Sequence, residues 1–166
     1  MIILGIDPGL ATTGYGLIAI SQSVVCLDYG VLTTAAGLPL ADRLCRLFAA
    51  IQTLITRWKP DQAAIESLFF YKNTKTALQV AQARGVCLLA LRQQGILCTD
   101  YTPLQVKSSV TGYGSAKKNQ MQYMVQKLLR LPKKPSPDDA ADGLALALCH
   151  HYHGAHSGLK VKCSLT

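Results

Sequence analysis

The sequence predicts an α/β fold in which one five-stranded mixed sheet is flanked by helices. Three runs rich in β-branched and aromatic residues open the chain, and their short connecting turns indicate an antiparallel meander. Beyond residue 33, two short apolar runs alternate with segments of helical periodicity, and two further helical segments follow. The resulting order, β-β-β-α-β-α-β-α-α, is typical of a sheet with helices on both faces.

Each element has its own local signal. Alternating or apolar runs predict strands over residues 2–6, 15–20, 24–33, 62–66 and 96–101. Apolar residues spaced three and four apart predict helices over residues 40–58, 74–94, 117–130 and 137–152. Two polar, turn-rich loops, 67–76 and 102–118, are the candidate functional loops.

The composition favours a globular domain with a polyanionic partner. Hydrophobic residues make up 49% of the 166 residues, so we expect one domain over residues 1–153 and a flexible tail over 154–166. The 17 Lys and Arg against nine Asp and Glu give a net charge of +8, which favours phosphate backbones. Anionic lipid is disfavoured because the sequence has no long basic amphipathic helix and no lipidation signal.

Cysteine usage and the first residues indicate a cytoplasmic protein. The six cysteines are scattered without a Cys-x-x-Cys pair, and several lie in apolar contexts, as buried thiols do in a reducing compartment. We expect no signal peptide, because no cationic segment precedes the first strand. No apolar run reaches the roughly 18 residues that a membrane span requires.

Carboxylates fall where strand ends and a helix face could bring them together. Glu66, the only glutamate, closes one apolar run, and Asp7 closes another. Asp139 and Asp142 lie three apart at the start of the last predicted helix. Mg²⁺ prefers carboxylate oxygens, and two such ions roughly 3.5–4 Å apart can promote hydrolysis of a phosphodiester. The pattern therefore indicates a metal-binding acidic cluster in an enzyme that cuts nucleic acid.

These acids also have purely structural explanations. Residues 7–9, Asp-Pro-Gly, fit a type II turn, and Glu66 could cap a strand. Residues 136–139, Ser-Pro-Asp-Asp, have the composition of a helix start. A helix start does not explain Asp142, one turn further in. Spacing alone allows either Asp138 or Asp139 to share a face with Asp142.

Several motifs, in register, resemble the RuvC family of Holliday junction resolvases. They are Gly5-Ile6-Asp7-Pro8-Gly9 with Gly14-Tyr15-Gly16, Ala64-Ile65-Glu66, Ala81-Gln82-Ala83-Arg84-Gly85, Gln105-Val106-Lys107 leading to residues 112–118, and Asp139-Ala140-Ala141-Asp142-Gly143-Leu144-Ala145. Together they span roughly residues 1–152. The resemblance implies an RNase H-like fold, a homodimer and metal-dependent nicking of four-way DNA junctions. It also implies the branch-migration motor complex RuvA–RuvB as a partner.

The resemblance also implies roles for individual residues. The family's Asp-Ala-Ala-Asp pattern selects Asp139 over Asp138, which is assigned to the helix start. Two Mg²⁺ ions are implied in each active site, and Mn²⁺ can substitute for them. Gly143, where many relatives carry alanine, costs the helix up to about 1 kcal/mol. The implied catalytic residues are the metal ligands Asp7, Glu66, Asp139 and Asp142, with Lys107 and Lys118 beside them.

Aromatic and basic residues predict contacts to DNA. Rings stack on bases and ammonium groups meet phosphates, and the segment after Glu66 carries both. One or two of its rings could instead anchor the loop in the core. The resemblance makes Phe69 the residue for base stacking, whereas Lys133 and Lys134 fit a solvated charged face. The predicted DNA-binding residues are Phe69, Phe70, Tyr71, Lys72, Lys75, Tyr113, Ser115 and Lys117.

Cys149 and His153, four residues apart, raise the possibility of a zinc site. No second cysteine pair supports it, and histidines are favoured at a helix C-terminus, so we expect no zinc.

A stripe of mostly small residues in the second helix is a candidate dimer contact. The stripe could pack against a second copy or against its own sheet. Its members are Ala77, Ala81, Gly85 and Leu88.

The leading hypothesis is a structure-selective DNA endonuclease of recombination and repair. It would nick two opposed strands of a four-way junction and leave 5′-phosphate and 3′-hydroxyl ends. The 5–9 segment also resembles the first phosphate loop of actin-like ATPases, but those need a second such loop and a much longer chain. A binding module without cleavage would be expected to lack one or more acids, and all four are present. An RNase H-like ribonuclease stays open, because that choice depends on contacts to 2′-hydroxyl groups.

Overall fold

The computed structural model describes residues 1–67 and 74–154, except for the side chains of residues 74–76. Its elements are β1 (Ile2–Asp7), β2 (Thr12–Ile20), β3 (Val24–Thr33), α1 (Leu40–Trp58), β4 (Gln62–Glu66), α2 (Thr74–Gln93), β5 (Leu97–Tyr101), α3 (Pro103–Thr111), α4 (Lys118–Leu128) and α5 (Asp138–Gly154). All the predicted strands and helices are present, which confirms the α/β architecture. Across the described residues, none of the helices combines the length and the apolar content needed to cross a bilayer.

The strands form one mixed sheet in the order β3-β2-β1-β4-β5. β1, β2 and β3 pair antiparallel, as their short turns predict, and Asp7 lies opposite Gly14. β4 runs parallel to β1 and β5 runs parallel to β4, with Ile6 beside Ile65 in register. Since parallel neighbours end at the same edge of a sheet, Asp7 and Glu66 emerge side by side.

Helices cover both faces of the sheet, and each face has its own apolar core. α1 and α2 pack on one face, over residues such as Leu4 and Ile65. α3, α4 and α5 pack on the other face, over residues such as Ile3 and Ile18. α5 is deeply buried: residues 140, 141 and 143–150 are all shielded from solvent. The helix that carries two of the predicted ligands is therefore also the centre of a core.

Gly143 allows α5 to lie directly on the sheet. A β-carbon built on Gly143 would lie 2.4 Å from the backbone carbonyl carbon of Tyr15 in β2. That separation is far below van der Waals contact, so any side chain here would push α5 away from the sheet. The sequence indicated only the helix-propensity cost of this glycine, whereas the structure gives the packing that requires it.

The prediction that residues 102–118 form only a loop is wrong, because residues 103–111 form α3. The Thr102 hydroxyl accepts from the Gln105 backbone N–H at 3.1 Å, and the Gln105 side chain accepts from the Thr102 N–H at 2.8 Å. This capping box, with Pro103 at the first helical position, is a sequence pattern typical of a helix N-terminus. Only Val106 and Val110 are buried, so the helix has little apolar periodicity.

Candidate active site

A cavity of about 320 Å³ opens at the sheet edge where β1 and β4 end. Two acids come from these adjacent strand ends, two from the start of α5, and one lysine from each of α3 and α4. The four predicted acids and the two predicted lysines therefore line the same cavity. These residues are Asp7, Glu66, Asp139, Asp142, Lys107 and Lys118.

Three of the acids are close enough to bind one cation. Carboxylate oxygens of Asp7, Asp139 and Asp142 all lie within 4.8 Å of one another. Glu66 lines the same cavity, and its negative charge acts on Asp7. All four side chains are half-buried, so the cluster is shielded yet open to a ligand.

Burial and mutual repulsion raise the pKa values in the cluster. Burial comes first, followed by the negative charges of the other three acids, and together they raise the pKa of Asp7 from 3.8 to about 8. Burial also raises the pKa values of Glu66 and Asp142, although the positive charges of Lys107 and Lys118 oppose the rise. When no cation is bound, burial and mutual repulsion therefore disfavour four negative charges in the cluster and favour protonation of one of its carboxylates.

Asp138 lies outside the cluster and joins α5 to α4. Its carboxylate accepts a hydrogen bond of 2.6 Å from the Gln122 side-chain amide. Its other oxygen lies 3.8 Å from Nζ of Lys118, and both of these side chains are more than half exposed. Geometry therefore places Asp139, and not Asp138, with Asp7 and Asp142.

The predicted DNA contacts that the structure describes lie between α3 and α4. Ser115 and Lys117 are exposed, and Tyr113 is 46% exposed. Tyr113 borders a groove of about 410 Å³. Tyr123, which was not among the predicted DNA contacts, also borders this groove. The sequence gives one indication of it: an aromatic residue on the exposed side of a helix that carries lysines. The other residues along the groove are Thr111, Asn119, Gln120, Met124 and Lys134.

Five of the predicted DNA contacts lie outside what the structure describes. Residues 68–73 are not described, nor are the side chains of residues 74–76. The residues concerned are Phe69, Phe70, Tyr71, Lys72 and Lys75.

Cys149 and His153 lie close together at the end of α5. The Cys149 sulfur is 3.7 Å from Nδ1 of His153 and donates to the Ser109 hydroxyl at 3.4 Å. Among residues 1–67 and 74–154, only the acidic cluster brings together three or more cysteine, histidine or carboxylate ligands in a compact group.

The candidate dimer stripe is divided between core and surface, because its member Leu88 packs against the protein's own core. α2 buries Ala83, Cys87 and their neighbours against the sheet. Gly85 is exposed, and Leu78 and Leu89 are 64% and 52% exposed. α2 therefore presents an apolar face that its own sheet does not cover.

Arg84 is a contact to the site that the sequence analysis passed over. It lies within the motif of residues 81–85, for which the resemblance implied no role. In the structure its Nε donates to the backbone carbonyl oxygen of Glu66 at 3.1 Å.

Comparisons with known proteins agree with this geometry. Residues 3–150 match the family described as crossover junction endodeoxyribonuclease RuvC. RuvC of Chloroflexus aurantiacus is 54% identical over 150 residues, which cover 90% of this chain and 92% of that protein. RuvC of Ruminiclostridium cellulolyticum is 51% identical over 162 residues, which cover 95% of this chain and 98% of that protein.

A solved structure extends the match to three dimensions. Thermus thermophilus RuvC in complex with Holliday junction substrate has a TM-score of 0.89 at 33% identity, over 94% of this chain and 96% of that one. The match confirms the RNase H-like α/β arrangement that the resemblance implied. The chain belongs to the RuvC family of crossover junction endodeoxyribonucleases.

Proposed function

We propose that this protein resolves Holliday junctions, cutting DNA strands with the help of divalent metal ions. The observation that carries the proposal is the convergence of four carboxylates and two lysines in one cavity of a RuvC family member. Strand ends and helix starts supply these groups from five elements, so only the folded protein assembles them.

The carboxylates fit a hard divalent cation. Their oxygens are the ligands that Mg²⁺ and Mn²⁺ prefer. A cation would offset the burial and the mutual repulsion that together raise the pKa of Asp7 to about 8. We assign two Mg²⁺ ions, replaceable by Mn²⁺, to Asp7, Glu66, Asp139 and Asp142. When bound, such ions lower the pKa of the attacking water and stabilise the leaving oxygen of the phosphodiester.

The two lysines are suited to hold the scissile phosphate. Lys107 and Lys118 line the cavity, and their charges oppose the rise in the pKa of Glu66. A positive group held at that place stabilises the negative charge that develops on the phosphate during in-line attack. We propose that the cut leaves a 5′-phosphate and a 3′-hydroxyl, as ligation of the resolved duplexes requires.

A basic surface next to the cavity is suited to carry the DNA. Residues 101–137 contain seven Lys and Arg and not a single Asp or Glu. We propose that Tyr113, Ser115 and Lys117 contact DNA here, because phosphates seek positive charge and bases stack on exposed rings. We also propose DNA contacts by Phe69, Phe70, Tyr71, Lys72 and Lys75, with Phe69 stacking on an opened base.

A homodimer would account for paired nicks. A four-way junction has approximate two-fold symmetry, so a dimer with the same symmetry places its two active sites on opposed strands. The uncovered apolar face of α2 supports this assembly, since Leu78 and Leu89 are both more than half exposed. The assembly would work in the cytoplasm with the RuvA–RuvB complex, and residues 1–153 would form its single nuclease domain.

Cleavage of a synthetic four-way junction in Mg²⁺ tests the proposal directly. We compare the wild type with Glu66→Gln, and use Asp42→Asn as a matched control because Asp42 is an exposed acid on α1. We expect paired nicks in opposed strands from the wild type and the control. Glu66→Gln should bind the junction and leave it intact.

Two results would contradict the proposal. Tight junction binding without cutting by the wild type, in Mg²⁺ or Mn²⁺, would indicate a binding module. Faster cutting of an RNA–DNA hybrid than of the junction would indicate a ribonuclease.

A further inference from the structure

We propose that Arg84 is a positioning residue that fixes Glu66 in the active site through its backbone. This inference rests on the proposed function, since it assigns Glu66 a ligand role. Arg84 itself does not line the cavity.

Arg84 reaches from α2 to two strands at once. Its Nε donates to the carbonyl oxygen of Glu66, the last residue of β4, at 3.1 Å. Its Nη2 donates to a carboxylate oxygen of Asp100 in β5 at 2.5 Å. The Arg84 side chain is only 18% exposed, whereas that of Asp100 is 53% exposed. The guanidinium is therefore held between helix and sheet, with Asp100 as its outer anchor.

The end of β4 is held unequally by its two neighbouring strands. On the β1 side the register ends at Ile65, whereas on the β5 side Glu66 still pairs with Tyr101. On the β5 side, Ser67 also donates its backbone N–H and its hydroxyl to the Tyr101 carbonyl oxygen at 2.9 and 3.1 Å. Ser67 and Arg84 therefore hold the backbone at the end of β4. Removing one of them frees the carboxylate of Glu66 to shift relative to Asp7.

The expected effect concerns geometry rather than overall stability. Water screens the Asp100 end of the ion pair, which is 53% exposed, so we expect the pair itself to add little to folding. A metal site, in contrast, needs its ligands held within roughly 0.5 Å, and loss of an outer partner typically costs about 10–100-fold in metal affinity or activity.

Two matched substitutions distinguish loss of the contact to Glu66 from loss of a positive charge on α2. Arg84→Met removes the donors and keeps most of the stem, and Arg92→Met removes an exposed charge from the same helix without touching β4. Mg²⁺ binding is measured by calorimetry without DNA, junction binding in Ca²⁺, and single-turnover cleavage as a function of Mg²⁺. Arg84→Lys tests partial rescue, because lysine keeps one donor group but not the planar fork.

We expect Arg84→Met to weaken Mg²⁺ binding and slow cleavage about 10–100-fold, with junction affinity within about twofold of wild type. Arg92→Met should match the wild type, and Arg84→Lys should fall between. The sign is informative, because loss of a positive charge alone would tighten cation binding. If Arg84→Met fails to fold, Arg84→Lys is used in its place, with an expected several-fold loss of Mg²⁺ affinity and cleavage rate.

Other outcomes overturn the inference. Equal Mg²⁺ affinity and equal cleavage in Arg84→Met and Arg92→Met would show that Glu66 needs no such support. A loss of junction affinity as large as the loss of cleavage would make Arg84 a DNA contact instead. If the wild type binds Mg²⁺ but cuts nothing, the proposed function fails, while calorimetry still decides the role of Arg84.

Discussion

The backbone carbonyl oxygen of Asp139 occupies the place where a β-carbon of Gly14 would be. A β-carbon built on Gly14 would lie only 1.9 Å from that oxygen. Gly14 is also the partner of Asp7 in the β1–β2 ladder. The missing side chain of Gly14 therefore sets how closely the start of α5 approaches the end of β1, and with it the distance between two of the proposed ligands.

Gly14→Ala should therefore damage the site and the core together. The added methyl group meets backbone, which cannot rotate away, so we expect a loss of at least about 1–3 kcal/mol in the free energy of unfolding. Thermal melts and junction cleavage measure the two effects. Gly37→Ala is the control, because a β-carbon on Gly37 meets nothing within 4 Å. Wild-type stability and cleavage in Gly14→Ala would contradict this explanation of the α5 position.

Asp139 and Asp138 should respond differently to the same substitution. Asp139→Asn removes a member of the cluster, so we expect Mg²⁺ to lose most of its effect on the melting temperature. Asp138→Asn should keep that effect, because Asp138 contacts Gln122 and Lys118 outside the cluster. Melting curves recorded with and without excess Mg²⁺ make the comparison. Equal responses would move Asp138 into the metal site.

Metal-free stability should fall as pH rises. Folding raises the pKa of Asp7 from 3.8 to about 8, so between these values the folded protein holds a proton that the unfolded chain has lost. The free energy of unfolding then decreases with pH, by at most about 1.4 kcal/mol per pH unit for one proton. Thermal melts in EDTA at pH values from about 5.5 to 8.5, around the upper part of this pKa interval, should show the decrease in stability. The substitution Asp7→Asn should make the decrease smaller.

Magnesium should oppose that trend. Ligand carboxylates must be deprotonated to bind a cation, so the stabilisation by Mg²⁺ should grow with pH in the wild type. Asp42→Asn, an exposed acid on α1, serves as the control and should follow the wild type in both series. Parallel pH profiles for the wild type and Asp7→Asn would rule out the proton on Asp7.

Lys117 should contribute one phosphate contact. Lys117→Ala should weaken junction binding and reduce the slope of log K against log salt by about 1, because each neutralised phosphate releases counterions. Arg46→Ala is the control, an exposed charge on α1 on the opposite face of the sheet. Fluorescence anisotropy in Ca²⁺ over several salt concentrations gives both slopes. Identical slopes for the two variants would remove Lys117 from the DNA path.

Leu89→Glu should separate the proposed dimer. Leu89 is 52% exposed on α2, and a carboxylate buried at a subunit contact costs several kcal/mol. Sedimentation velocity should show a monomer for this variant and a dimer for the wild type. Leu40→Glu, an exposed position in the first turn of α1, should stay dimeric. A dimer that persists in Leu89→Glu would place the contact elsewhere.

Most of the fold could be predicted because its signals are local. Alternating runs, a broad apolar stripe in α1 and short turns identify the elements in order, and parallel strand ends explain why Asp7 and Glu66 are adjacent. α3 was missed because it is short and buries only Val106 and Val110. Its capping box at Thr102 is as local as the other signals, but the polar composition of the surrounding residues favours a loop.

Relationships between distant elements could not be predicted in the same way. Spacing left Asp138 and Asp139 equivalent and the family resemblance selected Asp139; the physical reason, the position of α5 against β2, is visible only in the structure. Arg84 gave no sign that it would contact Glu66, because 18 residues separate them and the contact involves a backbone atom. The need for glycine at position 143 likewise becomes clear only when the strand that faces it, β2, is known.

The burial of α5 makes cutting and folding inseparable. Asp139 and Asp142 lie on a helix whose residues 143–150 are all buried, so the acid cluster forms only when the core has closed. The positive charge of residues 101–137, by contrast, is a property of composition and persists in an unfolded chain. An incompletely folded molecule would therefore keep its attraction to DNA phosphates without an assembled acidic cluster. Closure of the core around α5 is then the step that would turn a DNA-binding chain into a nuclease.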